Sequence, residues 1–416
     1  MIILSKQLKL LLDLLQFTTM HLSDKVNQIS ESQTIAMARK SRELKAQGID
    51  VISLSLGEPD FATPDVIKQA AKDAIDSNFS YYTHVSGYLE LREAICKKFK
   101  RDNGLDYQPD EIVVSTGAKQ SIANVVLCLI NPGDEVIVPS PYWVSYLEIL
   151  KLAGGVPKII TTEIEADFKI TPKQLEAAIT PKTRMIMLST PCNPTGSVYS
   201  KDELKALAEI IMKHDELYIM SDEIYEHINF IGKHESFAQF DFIKDRVITI
   251  NGVSKGFAMT GWRGGILAAP KWIAQACDKM QGQFTSATSS ITQKAMHKAM
   301  ELDFDTYIKP MQQAFLKRRD LVLSLMKDIP GLKTNVPQGA FYVYPEVSFY
   351  FGKKYKDFHI QNATDLSLFL LSEAHVALVP GAAFGDDKYI RFSYATSEDN
   401  LKEALKRMKE ALAKLV

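Results

Sequence analysis

The sequence RVITINGVSKGFAMTGWRGG, residues 246–265, joins a strand pattern to a glycine-rich turn. The β-branched run from Arg246 to Ile250 predicts a buried strand. Lys255 would then lie just beyond the carboxyl end of that strand, where α/β proteins bind ligands. A lone lysine on a loop is usually a solvated charge, but the glycines allow a ligand to approach the backbone and Arg263 could hold an anion. A lysine beside an anion site suggests a phosphorylated carbonyl ligand.

Similar short apolar runs recur along the chain, and segments of helical pattern separate them. The predicted strands are Ile112–Val114, Glu135–Val138, Arg184–Leu188, Leu217–Met220, Val247–Ile250 and Gly265–Ala268. Near-continuous apolar strands that alternate with helices predict an α/β fold with a mostly parallel sheet between two layers of helices. We expect this large domain to span residues 58–300.

The rest of the chain predicts a smaller α+β domain, formed by residues 30–57 and 301–416. Its pattern indicates helices at 33–48, 301–329 and 398–415, and strands at Val51–Leu56, Ala340–Val343, Val376–Val379 and Tyr389–Ser393. We expect residues 1–29 to form an N-terminal extension or arm. Its leucine-rich part, LKLLLDLL at 8–15, is too short to span a bilayer. The alternative is an amphipathic helix that packs on the protein or on a second subunit.

The composition of the 416 residues is that of an ordinary globular protein, with 46% hydrophobic and 24% charged residues. A formal net charge of −1 provides no electrostatic attraction to nucleic acid or to an anionic membrane. The four cysteines are widely spaced and show no metal-binding pattern. We therefore expect a reduced, cytoplasmic protein without disulfide or metal.

Three turns that follow predicted strands carry polar candidate residues. Gly117-Ala118-Lys119 opens a helix, and the free backbone N–H groups at a helix start can bind an anion, although many such turns bind nothing. Asp222 could cap a helix, or it could hold a protonated pyridine nitrogen. Tyr225 and Asn193 could each donate a hydrogen bond to a phenolate oxygen, but Asn193 also fits a plain proline turn.

Three further side chains have two open roles each. Arg391 could form an edge-strand salt bridge, or it could clamp a substrate carboxylate through two hydrogen bonds. Trp143 could stack on an aromatic cofactor or fill the core. Tyr82, in a tyrosine-rich loop, could pack on the surface or reach the site of a neighbouring subunit. Residue type alone does not choose between these roles.

Seven motifs resemble, in order and approximate spacing, those of the aspartate aminotransferase family, fold-type-I enzymes that use pyridoxal 5′-phosphate (PLP). They are LSLGEPDF (54–61), STGAKQ (115–120), PSPYWVSY (139–146), PCNPTG (191–196), SDEIYEH (221–227), SKGFAMTGWRGG (254–265) and YIRFSYATS (389–397). The resemblance covers residues 30–416. Cys192 departs from the residue expected before Asn193, on a loop wall where the change should matter little.

The resemblance implies a role for each candidate. Lys255 would bind PLP covalently and then move the substrate's Cα proton as general acid and base. Asp222 would pair with the pyridine N–H and keep the ring able to accept electrons. Further cofactor contacts would come from Gly117, Ala118, Lys119, Trp143, Asn193, Tyr225, Ser254, Arg263 and, from the second subunit of a homodimer, Tyr82. The substrate would be bound by Gly57, Lys119, Trp143, Asn193 and Arg391.

Lys119 and the pair Ser32 and Thr34 resemble the bacterial subgroup that recognises a dicarboxylate side chain. The sequence therefore predicts an enzyme that transfers the amino group of aspartate to 2-oxoglutarate by a ping-pong mechanism, with amino and keto acids as its small-molecule partners. An aminotransferase for prephenate or aromatic amino acids would use the same carboxylate clamp, and a β-eliminating PLP lyase would share the cofactor residues. We do not expect a PLP-dependent transcription regulator, because roughly 30 residues ahead of the matching region are too few for a DNA-binding domain.

Overall fold

The computed structural model describes residues 22–416. The chain divides into two compact units, one ending at Ser30 and the other running from Glu31 to Val416. The described part of the first unit contains one short helix, α1, at Asp24–Gln28. The leucine-rich segment 8–15 lies outside the described residues, so the extension expected at 1–29 stays a prediction.

The second unit contains thirteen further α-helices among its described residues. They are α2 Gln33–Ala46, α3 Asp65–Asp76, α4 Leu89–Lys98, α5 Ala118–Leu129, α6 Ser145–Ala153, α7 Pro172–Ala178, α8 Lys201–Ile211, α9 Lys271–Phe284, α10 Ser290–Glu301, α11 Phe304–Tyr307, α12 Lys309–Met326, α13 Ala363–Glu373 and α14 Glu398–Leu412.

The prediction of one long helix at 301–329 is wrong. Helix α10 ends where that helix was expected to start, and the short α11 separates it from α12. The Asp303 side chain starts α11 by accepting a hydrogen bond from the backbone N–H of Thr306 at 2.8 Å. Pro310 lies in the first turn of α12, where a proline is tolerated because its missing N–H has no helical partner to lose. These two residues divide a segment whose periodicity alone suggests a single helix.

Within the described residues, the strands form one large sheet and three small ones. They are β1 Ile52–Ser53, β2 Ile112–Thr116, β3 Glu135–Ser140, β4 Val156–Thr161, β5 Thr183–Ser189, β6 Tyr218–Asp222, β7 Val247–Gly252, β8 Gly264–Ala268, β9 Tyr342–Val343, β10 Lys354–Tyr355, β11 Phe358–His359, β12 Val376–Ala377, β13 Val379–Pro380 and β14 Ile390–Ser393. The large sheet has seven strands in the order β2-β8-β7-β6-β5-β3-β4.

Most neighbours in the large sheet are parallel, which confirms the predicted α/β fold. The pairs β3–β4, β3–β5, β5–β6 and β6–β7 are parallel, whereas β8 runs antiparallel to both β2 and β7. All six predicted strands are present, but β4 was missed. Its sequence, VPKIIT, contains a proline and a lysine, and most of its residues are at least partly exposed at the sheet edge. An edge strand needs no continuous apolar run, so it lacks the pattern of a buried strand.

The direction of β8 places Arg263 at the edge of the sheet where β7 ends. Because β8 is antiparallel to β7, with Gly265 opposite Gly252, it starts where β7 ends. Arg263 immediately precedes β8 and therefore lies at the edge where the parallel strands finish. A Cβ atom on Gly265 would lie only 2.3 Å from the carbonyl carbon of Gly117, so glycine is what allows these segments to meet.

The C-terminal part of the chain builds a second framework beside this sheet. Strands β13, β14 and β9 form an antiparallel sheet in that order, and β1 pairs in parallel with β12. A separate apolar core draws most of its members from residues 311–415, with Ile52 and Leu54 from the N-terminal side. Since Arg391 lies on β14, the middle strand, the suggestion of an edge-strand salt bridge is wrong. The predicted limits of the two domains stay predictions.

Candidate active site

A cavity of about 430 Å³ opens at the edge where β5, β6 and β7 end. Eleven of the thirteen candidate residues line it: Gly57, Ala118, Lys119, Trp143, Asn193, Asp222, Tyr225, Ser254, Lys255, Arg263 and Arg391. Gly117 is in contact with Arg263 beside it, and Tyr82 lies elsewhere. The fold thus brings together residues from widely separated parts of the chain.

The amine of Lys255 is partly buried in the turn that follows β7. Its Nζ donates a hydrogen bond to the backbone carbonyl of Gly57 at 2.5 Å. Burial lowers the pKa of Lys255 to about 8; the Glu58 carboxylate opposes this shift, and the charges of Arg391 and Arg263 add to it. An appreciable fraction of the amine is therefore neutral, and hence nucleophilic, near neutral pH.

Asp222 ends β6 with its carboxylate inside the protein. Its Oδ2 accepts a hydrogen bond from the Tyr146 hydroxyl at 2.8 Å, and its Oδ1 accepts one from the Ile224 N–H at 3.3 Å. Burial raises the pKa of Asp222 to about 6, while the hydrogen bond from Tyr146 opposes the shift. A turn rather than a helix follows Asp222, so the helix-cap alternative is wrong. The carboxylate is mostly ionised at neutral pH and can pair with a cationic nitrogen.

The phenol of Tyr225 is buried against a second phenol that sequence reasoning missed. The hydroxyl groups of Tyr225 and Tyr342 lie 2.8 Å apart and share a hydrogen bond. The Tyr342 hydroxyl in turn reaches the backbone of Gly57, where an added Cβ would lie 1.9 Å from it. Glycine at position 57 is therefore required for Tyr342 to enter the site.

Arg391 is the largest buried cation of the site and has no carboxylate partner among the described residues. Its Nη1 donates to the Asn193 side-chain oxygen at 2.9 Å, and its Nη2 donates to the backbone carbonyl of Ser55. Its Nε is buried without a hydrogen-bond partner in the described structure. The guanidinium lies 4.6 Å from the ring centre of Tyr342 and 4.9 Å from that of Phe384. A buried arginine in this state is suited to bind a carboxylate from a ligand.

The start of α5 and Arg263 form a compact anion-binding surface. Gly117, with φ of +84°, precedes α5, and a Cβ on it would lie 2.2 Å from Nη2 of Arg263. Arg263 Nη1 donates to the carbonyl of Thr260 at 2.8 Å. Ser254 is buried and lines the same cavity. The helix start and the guanidinium both favour negative charge, as a phosphate requires.

Lys119 and Trp143 form another wall of the cavity. The Lys119 amine lies 5.0 Å from the ring centre of Trp143. Partial desolvation and the charge of Arg263 lower the pKa of Lys119. Ser32 and Thr34 line the same cavity, and the Thr34 hydroxyl is buried without a partner among the described residues. These groups are available to a second polar part of a ligand.

Tyr82 is the candidate that the fold does not bring into the cavity. Its side chain is 96% exposed and lies with Tyr81 in a separate depression formed by residues 80–83 and 287–290. Any role for Tyr82 in the site requires a second subunit, so this role stays a prediction.

Tyr146 and Tyr342 are the contacts that the sequence did not single out. Tyr146 lies three residues after Trp143, and this helical spacing beside a candidate residue was the available signal. Tyr342 lies far from both Gly57 and Tyr225 in sequence, so no local pattern indicates it. Within residues 22–416, no cluster of His, Cys, Asp and Glu is arranged to hold a metal ion. The same residues contain no helix with the length and apolar character needed to cross a membrane.

The site places a lysine amine in one cavity with a buried carboxylate and a buried arginine, at the edge of an α/β sheet where enzymes of this fold class bind their ligands. The model of the family "Aminotransferase class I and II" matches residues 49–408. The chain belongs to this family, which confirms the resemblance noted in its sequence.

Named relatives agree with this assignment. The chain is 47% identical over 395 residues to a bifunctional aspartate aminotransferase and glutamate/aspartate-prephenate aminotransferase of Petunia hybrida, covering 94% of this chain and 82% of that protein. It is 45% identical to an aspartate/prephenate aminotransferase of Cereibacter sphaeroides, covering 95% and 99%. The structure of the aspartate aminotransferase from Rhizobium meliloti matches with a TM-score of 0.92 and 42% identity, covering 95% and 100%. That from Thermus thermophilus with maleate matches with a TM-score of 0.89 and 39% identity, covering 94% and 99%.

Proposed function

We propose that this aminotransferase uses PLP to transfer the amino group of aspartate to 2-oxoglutarate, forming oxaloacetate and glutamate by a ping-pong mechanism. The observation that carries the proposal is the placement of Lys255, Asp222 and Arg391 in one cavity. The lysine has a lowered pKa, the carboxylate is buried, and the arginine has no acidic partner within residues 22–416. Relatives named for aspartate support the choice of substrate.

The residues present fit PLP in three respects. Gly117, Ser254 and Arg263 offer an anion site for its phosphate, and Asp222 is an ionised buried carboxylate for its pyridine nitrogen. Lys255 supplies the amine that would hold it covalently. When bound, PLP supplies an electron-accepting ring conjugated to the substrate nitrogen.

The chain's own residues supply orientation and proton transfer. Arg391 would bind the substrate α-carboxylate with the donor capacity that Asn193 and Ser55 leave free. This contact fixes the Cα atom relative to Lys255, which lies in the same cavity. A lysine with a pKa of about 8 can accept the Cα proton as a neutral amine and return it as an ammonium group.

The wall of the cavity formed by Lys119 and Trp143 would select the substrate's second carboxylate. Lys119 is the cation available there, and Ser32 and Thr34 add hydroxyl groups. The Thermus thermophilus relative was solved with maleate, a four-carbon dicarboxylate. Aspartate carries its carboxylates at a similar separation, and this supports its assignment as amino donor.

Prephenate is the second candidate substrate, because several relatives are named for it. Its pyruvyl group carries the carboxylate that Arg391 would bind, and its ring carries a further carboxylate that Lys119 could reach. Tyrosine lacks that second carboxylate. We therefore expect prephenate to be favoured over aromatic amino acids.

Replacing Lys255 by alanine tests the mechanism. The variant should lose the visible absorbance of covalently held PLP, and its transamination rate should fall by at least about 100-fold, because the general acid and base is lost. Lys271→Ala, which removes an exposed lysine paired with Asp110, is the matched control and should behave as wild type. Transamination by Lys255→Ala at the wild-type rate would exclude the proposed role.

Incubation with aspartate and no keto acid separates an aminotransferase from a β-eliminating lyase. An aminotransferase should form oxaloacetate in an amount equal to its sites and then stop, without releasing ammonia. A β-eliminating lyase would instead release ammonia and pyruvate continuously from an amino acid that carries a leaving group on Cβ, and that result would favour the lyase.

We further propose a cytoplasmic homodimer in which Tyr82 completes the partner's site. The exposure of Tyr82 and Tyr81 outside their own cavity supports this arrangement. The four cysteines are free, and proteins of a reducing compartment ordinarily keep their thiols in this form. Light scattering of the purified protein tests the dimer, and a monomer with full activity would refute the shared site.

A further inference from the structure

A buried polar cluster lies outside the cavity, where α4 meets the turn at residues 222–229. Its centre is the ion pair between Lys98 and Glu226, whose side chains are each only 4% exposed. Asn103 joins the pair, because its Oδ1 accepts from the Lys98 amine at 2.9 Å and its Nδ2 donates to Glu226 Oε2 at 2.8 Å. Both carboxylate oxygens of Glu226 are therefore held by donors from one segment.

A rare backbone form makes this arrangement possible. Helix α4 continues into a π-helical turn at Phe99–Asn103, which ends at Gly104 with φ of +72°. In an α-helix, residues five apart point to different sides. A π-helical turn is wider, so it brings a residue back over the one that lies five positions earlier in the chain. Asn103 can therefore reach Lys98. Single π-helical turns within α-helices are frequent at functional sites.

The ion pair holds the turn that carries two candidate site residues. Glu226 directly follows Tyr225, and Asp222 begins the same turn. The backbone of the turn is closed by a hydrogen bond from Glu226 N–H to the Glu223 carbonyl at 2.9 Å, and by one from Ile228 N–H to the Tyr225 carbonyl at 2.8 Å. A displacement of Glu226 would therefore move Tyr225.

The next residue of the turn connects it to the catalytic lysine. The His227 ring lies directly against Gly256, where an added Cβ would be 2.4 Å from His227 Cδ2. Gly256 follows Lys255 in the chain. His227 Nε2 also lies 3.4 Å from Glu226 Oε1. The position of the lysine turn thus depends on a ring that contacts the ion pair.

The electrostatics of the cluster favour a Glu226 side chain that stays ionised beside Lys98. Burial would raise the pKa of Glu226, but Lys98 and the neighbouring imidazoles hold it well below its usual range. Burial lowers the pKa of His227 to about 4, so its ring is neutral at neutral pH. Apolar residues often replace a buried ion pair without loss of stability. Stability alone therefore does not account for the pair.

We propose that Lys98, Glu226 and Asn103 are positioning residues that hold Tyr225 directly, and Lys255 through His227 and Gly256, in the geometry needed for catalysis. This inference rests on the proposed function of Lys255 and Tyr225. None of the three residues is among those that line the cavity.

Kinetics of three variants test the proposal. Glu226→Gln and Lys98→Met break the ion pair, and Asn103→Leu removes only the neutral amide that braces it. In each variant, kcat with aspartate should fall by about tenfold to 100-fold, as expected for a small misplacement of reacting groups, while KM changes little because Arg391 lies on another sheet. Lys271→Met, which breaks the exposed pair with Asp110, is the control and should keep both constants. An unchanged kcat in the variants, or a loss explained by KM alone, would overturn the proposal.

The double variant Lys98→Met/Glu226→Met separates positioning from stability. Without an uncompensated buried charge, it should unfold at a temperature close to that of the wild type. Its kcat with aspartate should still be below that of the wild type, because two apolar side chains cannot orient the side chains of Asn103 and His227. If kcat returns to the wild-type value, the pair serves stability only. Should Lys98→Met fail to fold, Asn103→Leu and the double variant still decide the question.

Hydrogen exchange provides a measurement that does not depend on the proposed reaction. In Glu226→Gln, amide exchange should become faster at residues 222–229 and also at 253–258, which contain Lys255, while the sheet around Arg391 remains unchanged. Faster exchange restricted to residues 98–104 would refute the connection to the lysine. If the wild-type protein shows no transamination, the proposed function fails, but exchange still tests the positioning.

Discussion

The hydrogen bond from Tyr146 to Asp222 should control the pH at which this carboxylate ionises. Tyr146→Phe removes the hydroxyl that lies 2.8 Å from Asp222 Oδ2 and leaves a ring of nearly the same shape. Tyr146 is 1% exposed, so water cannot easily replace the lost donor. The pKa of Asp222 in the folded protein should therefore rise.

The size of the expected effect follows from the pKa shift of Asp222 in the wild-type protein. Burial raises the pKa of Asp222 from 3.8 to about 6. At about 1.36 kcal/mol per unit, this corresponds to about 3 kcal/mol of unfolding free energy that is present below pH 3.8 and is lost as the pH rises through about 6. A hydrogen bond to a charged group contributes about 1.5–3 kcal/mol. Removing the hydrogen bond from Tyr146 should raise the pKa of Asp222 by about one to two further units. The loss of stability should then continue up to a pH of about 7–8.

Urea unfolding of the PLP-free protein between pH 4 and pH 8 measures this effect. Tyr146→Phe should match the wild type closely at about pH 5, where Asp222 is mostly protonated in both folded proteins, and be less stable by about 1.5–3 kcal/mol at about pH 8. Tyr142→Phe is the control, because Tyr142 is partly buried nearby without a bond to Asp222, and its effect should not vary with pH. A stability difference between Tyr146→Phe and wild type that is equal at both pH values would refute the reasoning.

Three further variants test the ligand contacts. Arg391→Lys should lower kcat/KM for aspartate by about 10- to 100-fold, because a lysine cannot form the paired hydrogen bonds of a guanidinium; steady-state kinetics would show it. Gly117→Ala should weaken PLP binding in a titration, since its Cβ would lie 2.2 Å from Arg263, whereas Gly133→Ala, at φ of +91° in open space, controls for backbone strain. Lys119→Ala should lower kcat/KM for aspartate and prephenate but not for tyrosine, and equal losses for all three would contradict its role.

Local patterns were sufficient for the main strands and for the turns that follow them. The strands that precede Asp222 and Lys255 are short, largely apolar runs, and burial on both faces of a parallel sheet imposes that composition. The exposed edge strand β4 was missed because no such constraint acts on it. The single helix expected at 301–329 was wrong because Asp303 and Pro310 start new helices within a continuous periodic pattern.

The sequence by itself determined the α/β class, the motif residues and the chemistry that each side chain can perform. Only the tertiary structure decided which of these side chains meet and how they are charged. The antiparallel β8 brings Arg263 to Gly117, the middle strand β14 buries Arg391, and Tyr342 reaches Gly57. Such contacts join residues that no local pattern relates. The pKa shifts of Lys255 and Asp222 arise from desolvation, which depends on how the whole chain packs around them.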